Sequence, residues 1–460
     1  MPHVLAFDRP EALSQPLTGG KGANLSSLTQ AGFAVPPGFC VTTNAYAAFM
    51  DHGDLKKRIA ALAGEFSYGD LATLERQAAA IRNIILQTHI PAGLAAEIEQ
   101  AYAGLGAGVF VAVRSSGTAE DLVGASFAGQ HDTYLNIRGG IDVVEAVRQC
   151  WASLWTARAA IYRRDRAFDD VEIQMAVVVQ KMVQSEVSGV LFTANPMTNA
   201  TDEMVINATW GLGEALVQGV VTPDQYTVHR PSCTLIQQTL GEKELRIVRN
   251  RIGGGVATEN VPVAERARFC LDLPTIVALA QLGDRAQQHH GGVPQDIEWG
   301  IEGSTLYLLQ ARPITGAKFS QPRGDAIHPR NSFDTNCALP STVVRGTATS
   351  PGIATGVARI VMDRREISRV QQGEILVTHS TDPGWNPVFG IISAVVIETG
   401  GLLSHASCLA REYGFPAVHL PDAAKLIQDG ARITVDGHTG TITVVDVAAR
   451  IDWATTEERG

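Results

Sequence analysis

The apolar residues of this chain follow two periodicities. Residues 71–105 are rich in Ala, Leu, Ile, Glu and Arg at helical spacing, which predicts helices. Residues 108–315 alternate short β-rich runs with helical stretches. The predicted strands span residues 109–113, 172–183, 203–208 and 305–309, and the predicted helices span 144–165 and 263–289. Such an alternation predicts an α/β or α+β domain.

The alternation stops at residues 316–340. Their sequence, GAKFSQPRGDAIHPRNSFDTNCALP, is polar, contains Pro and Gly and has no periodicity, which is typical of an interdomain linker. Beyond it, strands are predicted at 356–361, 375–378 and 394–397, and a hairpin pairs 432–435 with 441–445 around Asp436 and Gly437. The pattern predicts one domain over residues 1–315, a linker over 316–342 and a small α/β domain over 343–450.

Composition and charge narrow the possible partners. The chain has 460 residues, of which 45% are hydrophobic, so several globular cores are expected. The net charge of −10 argues against a nucleic acid or a membrane surface as partner, although a local basic site can still bind a polyanion such as ATP. No apolar run approaches the ~18 residues of a membrane helix, and the start of the sequence has no signal-peptide pattern. The six cysteines are scattered, which fits a reducing, cytoplasmic location.

The most informative segment is TGGLLSHASCLAREYGFPAV at residues 399–418. A helix is predicted from about Ser404 to Tyr413, because Gly414 followed by Pro416 is a typical helix stop. His405 then lies at a helix N-terminus, directly after a diglycine turn. Free backbone N–H groups and the positive end of the helix dipole favour an anionic group at that place. A lone histidine is more often a surface or capping residue, so this position alone does not identify a phosphate carrier.

Three further stretches have the chemistry of a nucleotide site. GGKGANL surrounds Lys21 with glycines, which predicts a flexible backbone with a mobile charge for phosphate. VAVRSSG is interpreted as a strand ending in Arg114 and followed by a donor-rich turn, with a second small-residue loop at 125–130. QKMV, with Gln180 and Met182, is interpreted as a strand end that forms a hydrogen-bonding edge for adenine. A surface lysine and an ordinary strand end are the plain alternatives.

A fourth stretch, QDIEWGIEGSTLYLLQARP at residues 295–313, has two β-like runs around Gly303. Asp296 and Glu298 share one strand face, and Gln310 and Arg312 share the next. If the two strands pair, carboxylates, an amide oxygen and a guanidinium come together. Oxygen ligands suit a hard cation such as Mg²⁺ and arginine suits a phosphate, so a Mg²⁺–triphosphate site is predicted. A solvated hairpin face is the alternative.

These motifs resemble one known superfamily. Residues 399–418, with TDPGWNP at 381–387, are similar to the phosphohistidine motif of the mobile domain of phosphoenolpyruvate synthases, pyruvate phosphate dikinases and rifampicin phosphotransferases. Residues 1–315 resemble the ATP-grasp nucleotide domain of the same families. One departure is His419-Leu420, where the motif usually continues with Val-Gly. The fold class expected is therefore α/β and α+β, with an ATP-grasp domain followed by a small swivelling phosphohistidine domain.

The resemblance also assigns expected roles. It implies that His405 is phosphorylated, that Asp296 assists, and that Glu214, in WGLGEALVQGVVTPD, belongs to the nucleotide site. The residues expected to hold phosphates are Lys21, Arg114 and Arg312, and those expected to hold magnesium are Glu298 and Gln310.

The reaction implied is that of an ATP- and Mg²⁺-dependent dikinase. His405 would attack the β-phosphorus, release AMP and then phosphate, and phosphorylate a hydroxyl of a small molecule. Attack on the γ-phosphorus, giving ADP, would use the same residues.

This sequence leaves no room for the acceptor domains of the superfamily, so the acceptor is expected on a separate subunit, as in multi-subunit phenylphosphate synthases, or directly between the two domains. An ATP-grasp ligase that forms an acyl phosphate leaves His405 unexplained, and a non-catalytic ATP-binding subunit is the remaining alternative.

Overall fold

The computed structural model describes residues 2–118, 133–165, 174–250, 254–314, 342–402 and 404–446. The chain divides into two compact units. The first comprises Met1–Arg323 with Asp382–Gly384, and the second comprises Gly324–Thr381 with Trp385–Gly460. Among the helices of the described residues, none combines the length and apolar character needed to cross a bilayer.

The first unit contains an antiparallel five-stranded sheet in the order β1-β2-β5-β3-β4. Helices cover one face of it, where the indole of Trp151 stacks on the ring of Phe49 at 4.9 Å between centroids. The strands are β1 Val4–Ala6, β2 Gly38–Val41, β3 Val111–Gly117, β4 Thr133–Ile137 and β5 Met175–Lys181. The helices are α2 Thr43–Asp51, α3 Leu55–Ala63, α4 Leu71–Gln87, α5 Ala92–Gly104, α6 Gly140–Ser153 and α7 Ala157–Asp165.

The same unit contains a second antiparallel sheet of six strands, in the order β13-β12-β6-β7-β8-β9, and a separate hairpin, β10-β11. One face of this sheet is apolar and packs under the long helix α10, with Trp299 fully buried. The strands are β6 Val187–Phe192, β7 Glu203–Trp210, β8 Asp224–His229, β9 Thr234–Thr239, β10 Leu245–Arg249, β11 Val256–Asn260, β12 Gln295–Glu302 and β13 Thr305–Pro313. The helices are α8 Glu214–Val217, α9 Val263–Arg266 and α10 Leu273–His289.

Helix α1, Gln15–Gln30, connects the two sheets of the first unit. The amide of Asn24 donates to the carbonyl oxygen of Ala311 in β13 at 3.4 Å, and the first turns of the helix contact β3. The helix is interrupted at Gly19, whose φ of 70° and ψ of 176° are not helical. The regular part of α1 therefore begins after Gly19, next to β3, and its later turns contact β13.

The second unit is built on one eight-stranded sheet, in the order β14-β21-β20-β16-β17-β18-β19-β15. Its centre, β16-β17-β18-β19, is parallel, and the outer pairs are antiparallel. The strands are β14 Thr342–Arg345, β15 Thr347–Ser350, β16 Ile353–Ile360, β17 Ile375–Thr378, β18 Ala394–Ile397, β19 Ala417–His419, β20 Arg432–Asp436 and β21 Thr441–Asp446. The helices are α11 Asn386–Phe389, α12 His405–Tyr413 and α13 Ala423–Leu426.

Two helices predicted as continuous are each broken in two. The stretch 144–165 forms α6 and α7, because Thr156 accepts a hydrogen bond from the Ala159 N–H at 3.3 Å and starts a new helix. The stretch 263–289 forms α9 and α10, because Asp272 caps the Thr275 N–H at 3.0 Å and Pro274 follows in the first turn of α10. In both cases the sequence prediction was wrong about continuity, since the apolar spacing runs across the break.

Candidate active site

The glycine-rich segment around Lys21 is fixed by the end of β3. A Cβ on Gly19 would lie 2.2 Å from the carbonyl oxygen of Ser116, and φ is positive, so only glycine fits here. The Ser116 hydroxyl donates to the Thr18 carbonyl oxygen at 2.7 Å and accepts from the Gly22 N–H at 3.1 Å. Two hydrogen bonds of the Ser116 hydroxyl therefore anchor the kink to β3.

Lys21 lies in helix α1 rather than in a flexible loop, so the sequence interpretation of this motif was wrong about the backbone. Its Nζ donates to the Ser115 carbonyl oxygen at 3.1 Å. The prediction of a turn at Ser115-Ser116-Gly117 was wrong as well, since these residues continue β3 and pair with β5. A glycine-rich sequence shows where the backbone can adopt unusual conformations, but it does not show which part of the fold the segment packs against.

Arg114 is the basic residue at the centre of the site. Its Nη1 lies 3.5 Å from the Glu298 Oε2, and its side chain is only 14% exposed. Among the residues that the structure describes, its buried Nε has no hydrogen-bond acceptor, and its Nη1 has the ion-pair contact with Glu298 but no hydrogen bond. A buried donor without an acceptor costs about 1–3 kcal/mol, more for a charged group. An anionic ligand beside Arg114 would supply the missing acceptors.

The strands β12 and β13 pair as an antiparallel hairpin, which was the condition for the predicted site. Asp296 is directly opposite Arg312, and Glu298 is directly opposite Gln310. Directly opposed residues of an antiparallel pair share a face, so all four side chains lie on one side of the sheet. Asp296 is nine-tenths buried and accepts from Arg312 Nε at 2.9 Å, so it orients the guanidinium. The Arg114–Glu298 contact joins this hairpin to β3.

Glu214 begins α8 close to the same charges. Its Oε1 accepts from the Gln218 side-chain amide at 2.9 Å. Burial raises the pKa of the Glu214 carboxyl above its usual range, and the Glu298 charge raises it further. The hydrogen bond from Gln218 and the charge of Arg114 act in the opposite direction.

Gln180 and Met182 occupy the central strand of the five-stranded sheet and the residue just after it. Gln180 pairs with Ala112 of β3, whereas Arg114 pairs with Val178, so Gln180 and Arg114 share a face. The Gln180 side chain is 2% exposed, and its Nε2 has no partner in the described part of the chain. The Met182 N–H donates to the Phe110 carbonyl oxygen at 2.8 Å. β5 is therefore flanked by β2 and β3, and Gln180 and Met182 lie at its carboxyl end, so their contact with adenine stays a prediction.

The donor set fits a magnesium ion bound with a polyphosphate. Glu298 supplies a carboxylate and Gln310 an amide oxygen from adjacent positions of the hairpin. Mg²⁺ usually takes one or two protein carboxylates and completes its shell with phosphate oxygens and water. Glu298 and Gln310 therefore suit a Mg²⁺ ion whose remaining ligands come from a bound polyphosphate and water.

His405 is the first residue of α12, as the sequence predicts, and Ser404 is its N-cap. The Ser404 hydroxyl accepts from the Ser407 N–H at 3.3 Å, and the Phe389 ring lies edge-on to the imidazole at 5.8 Å between centroids. The Thr381 hydroxyl lies 3.0 Å from His405 Nδ1. Thr381 is 7% exposed, so this contact is shielded from water and fixes the ring orientation.

Thr381 was missed as a site residue, although it stands in the TDPGWNP segment singled out from the sequence. A second missed pair lies at the carboxyl ends of the neighbouring parallel strands β17 and β18. His379 Nδ1 is 3.1 Å from Glu398 Oε2, and the His379 carbonyl oxygen accepts from the Thr399 N–H at 2.9 Å. No local sequence pattern indicates that His379 and Glu398 are partners. His419 is buried, with its Nε2 3.0 Å from the Glu398 carbonyl oxygen.

The structure thus brings Arg114 and Glu298 together, with Glu214 coupled to both, and pairs Glu298 with Gln310 and Asp296 with Arg312. Two predicted elements, the small-residue loop at 125–130 and the linker at 316–340, lie outside the described residues. His405 and its neighbours belong to the second unit.

Comparison with known proteins identifies both units. Residues 15–328 match the family described as pyruvate phosphate dikinase, AMP/ATP-binding domain, and residues 370–440 match the PEP-utilising enzyme, mobile domain. The phosphoenolpyruvate synthase of Pyrococcus furiosus is 39% identical over 93% of this chain and 57% of its own length. That of Aquifex aeolicus is 38% identical over 95% of this chain and 54% of its own length. The chain spans about half the length of these relatives.

Matches to solved structures are weak. They include aconitase X from Thermococcus kodakaraensis, which is 14% identical over 23% of this chain with a TM-score of 0.20. The sequence matches are far stronger, since one family covers more than half of the chain. They confirm the predicted superfamily and the predicted order of an ATP-grasp domain followed by a phosphohistidine domain. The chain therefore belongs to the family of pyruvate phosphate dikinases and phosphoenolpyruvate synthases, with an AMP/ATP-binding domain followed by the mobile domain.

Proposed function

We propose that this chain is an ATP-dependent phosphotransferase of the dikinase type, in which His405 takes phosphate from ATP and passes it to a small molecule. The observation that carries the proposal is the fixed imidazole at the start of α12. Its Nδ1 lies 3.0 Å from the Thr381 hydroxyl, and we assign the attack on phosphorus to the other ring nitrogen, Nε2. The domain boundaries that go with this function are 1–315 for the nucleotide domain, 316–342 for the linker and 343–450 for the mobile domain.

The first unit would bind ATP in the face that Arg114 shares with Gln180. Lys21, Arg114 and Arg312 would hold the phosphates, with Asp296 keeping the guanidinium of Arg312 in place. Gln180 and Met182 would contact the adenine, and Glu214 would line the same site. Magnesium held by Glu298 and Gln310 would neutralise phosphate charge. The unsatisfied nitrogens of Arg114 and Gln180 support this assignment, because a nucleotide supplies the acceptors that the described residues do not.

The reaction would proceed in three balanced steps. His405 Nε2 forms a bond to the β-phosphorus while the bond from that phosphorus to the AMP oxygen breaks. Water then releases the terminal phosphate and leaves a phosphohistidine. Finally an acceptor hydroxyl forms the new O–P bond, the N–P bond breaks, and the hydroxyl proton leaves to solvent or base. Positioning and charge neutralisation supply most of the rate gain in such transfers.

The acceptor is a hydroxyl or enol of a small molecule. The relatives are named phosphoenolpyruvate synthases, so the enol form of pyruvate is the first acceptor to test. A separate acceptor-binding subunit is a further component to test, by adding fractions of the source cell after the charging reaction has been established.

The test is intact-mass measurement after incubation with Mg-ATP and no acceptor, with the released nucleotide identified by chromatography. Wild type should gain one or two phosphates and release AMP. His405→Ala should gain none, and His438→Ala is the matched control, because His438 is an exposed histidine of the same unit. A gain that survives in His405→Ala would refute the phosphohistidine. ADP release that depends on an added carboxylic acid would instead identify a ligase.

A further inference from the structure

The second unit contains a histidine–carboxylate pair that the proposed reaction does not use. The parallel strands β17 and β18 lie side by side, and His379 and Glu398 are the first residues after them. His379 Nδ1 lies 3.1 Å from Glu398 Oε2. The Glu398 side chain is 15% exposed and that of His379 is 60% exposed, so the carboxylate is largely buried while the imidazole faces water. The pair stands at the edge of the sheet where the segment leading to His405 begins.

Glu398 is held in place by both its side chain and its backbone. Its Oε1 accepts from the Ala424 N–H at 2.9 Å, so both carboxylate oxygens are engaged. Its backbone N–H donates to the carbonyl oxygens of Thr378 at 3.0 Å and of His379 at 3.1 Å. Its own carbonyl oxygen lies 3.0 Å from Nε2 of the buried His419. A carboxylate that is fixed in this way can orient the imidazole that it contacts.

The backbone of His379 is tied to the segment that precedes helix α12. Its carbonyl oxygen accepts from the Thr399 N–H at 2.9 Å and from the Thr399 hydroxyl at 3.0 Å. Thr399 is followed by Gly400, whose φ of 113° favours glycine, and by Gly401. Because glycines add little stiffness of their own, the hydrogen bonds at Thr399 fix the start of the segment that leads to His405.

The loop after His379 reaches the imidazole of His405 by a second route. Thr381 is two residues after His379, so their Cα atoms are at most about 7.6 Å apart. The Thr381 hydroxyl lies 3.0 Å from His405 Nδ1. A displacement of His379 can therefore be absorbed only at Ser380 before it moves Thr381. His379 is thus connected to His405 both through Thr399 and through Thr381.

The sheet itself does not depend on this pair. Surface ion pairs contribute little to stability in general. Strands β17 and β18 are already paired at four positions, and buried aliphatic side chains pack against them. His379 and Glu398 lie beyond the last of these paired positions. Their contact therefore acts on the two loops rather than on the sheet.

We propose that His379 and Glu398 are positioning residues for His405: their contact holds the loop 379–382 against the segment 398–401, and so keeps the Thr381 hydroxyl beside the imidazole while His405 takes up phosphate. The inference rests on the proposed function of His405 as the phosphate carrier. Phosphoryl transfer depends on the alignment of the attacking atom with phosphorus, and a misplacement of about 1 Å can slow such a step about a hundredfold. Neither His379 nor Glu398 needs to touch the nucleotide.

The test follows phosphorylation of His405 in a single turnover of the full chain with Mg-ATP, by rapid quench and intact mass. His379→Ala should slow this step about three- to tenfold, which is the effect of one lost hydrogen bond. It should leave the ATP affinity unchanged and the unfolding temperature within about 2 °C of wild type. His379→Asn should react at nearly the wild-type rate, because its amide nitrogen offers a donor at the place of Nδ1. Glu398→Ala should be at least as slow as His379→Ala.

A double-mutant cycle separates positioning from a direct role in the transfer. If His379 acts through Thr381, the double variant His379→Ala/Thr381→Val should be no slower than Thr381→Val alone. Losses that multiply would mean that His379 acts independently of Thr381, and they would overturn the proposal. His438→Ala is the matched control, because His438 is an exposed histidine of the same unit. It should react at the wild-type rate.

Failure of this proposal can be told from failure of the proposed function. If wild type gains no phosphate, the phosphate-carrier role of His405 is refuted and the positioning role with it. If wild type is phosphorylated and His379→Ala is phosphorylated at the same rate, only the positioning role is overturned. An asparagine variant as slow as the alanine variant would also overturn it, because the contact with Glu398 would then not be the cause of the loss.

Discussion

Thr381→Val tests whether the hydroxyl beside His405 prepares the imidazole for phosphorylation. Valine keeps the shape of threonine but removes the group that lies 3.0 Å from Nδ1. Thr381 is 7% exposed, so water cannot easily replace the lost contact. A hydrogen bond of this kind is worth about 0.5–1.5 kcal/mol, which corresponds to a roughly two- to tenfold slower formation of phosphohistidine.

The assay is a single turnover with Mg-ATP, in which phosphohistidine is followed by rapid quench and mass measurement. Thr381→Ser is the control, because it keeps the hydroxyl and removes only a methyl group. The valine variant should be slow and the serine variant close to wild type, while both bind ATP normally, because the first unit is unchanged. Equal rates in valine and wild type would refute the positioning role. Equal loss in serine and valine would assign the effect to packing.

Three further predictions concern the first unit. Arg114→Met should weaken ATP binding roughly ten- to a hundredfold in calorimetry, because one charged hydrogen bond contributes about 1.5–3 kcal/mol, and unchanged affinity would contradict the site. Glu214→Gln should gain stability relative to wild type as the pH rises above 4.5, because the raised pKa of Glu214 means that the folded state disfavours the charged carboxylate. Thermal unfolding of both proteins over a range of pH measures this difference in stability. A difference that stays constant with pH would contradict the prediction. Gly19→Ala should cost about 2 kcal/mol or more in urea unfolding, because its Cβ meets the Ser116 backbone, whereas Gly32→Ala, at φ 76° with nothing within 4 Å, should cost only the backbone strain.

Short sequence patterns predicted several strands and the helix α12 of the second unit correctly. The short apolar runs at 375–378 and 394–397 are the strands β17 and β18, and α12 runs from His405 to Tyr413 with Gly414 in the left-handed conformation as its stop. These features depend on neighbours within a few residues, such as a serine cap and a glycine stop, and sequence patterns record such neighbours directly.

The nucleotide domain was harder to predict from the sequence, because its residues contact partners that are distant along the chain. Ser116 fixes Gly19, and Arg114 meets Glu298, which is almost two hundred residues later. Periodicity shows which residues share a face of one strand, but it does not show which strand lies beside it. The observed strand order places Gln180 in the central strand of its sheet, and the observed pairing with β5 extends β3 through Ser116; neither is visible in the sequence.

The sequence by itself determined the family, the mixed α and β architecture and the helix that begins at His405, because each is carried by short-range pattern or by a motif. The two β-like runs around Gly303 were also expected from it, and the structure adds the register that places Asp296 opposite Arg312. Only the tertiary structure decided that the Thr381 hydroxyl lies beside the imidazole of His405 and that Arg114 contacts Glu298. The physical reason is that these contacts depend on how sheets and helices pack, and packing is set by the whole core rather than by any local stretch.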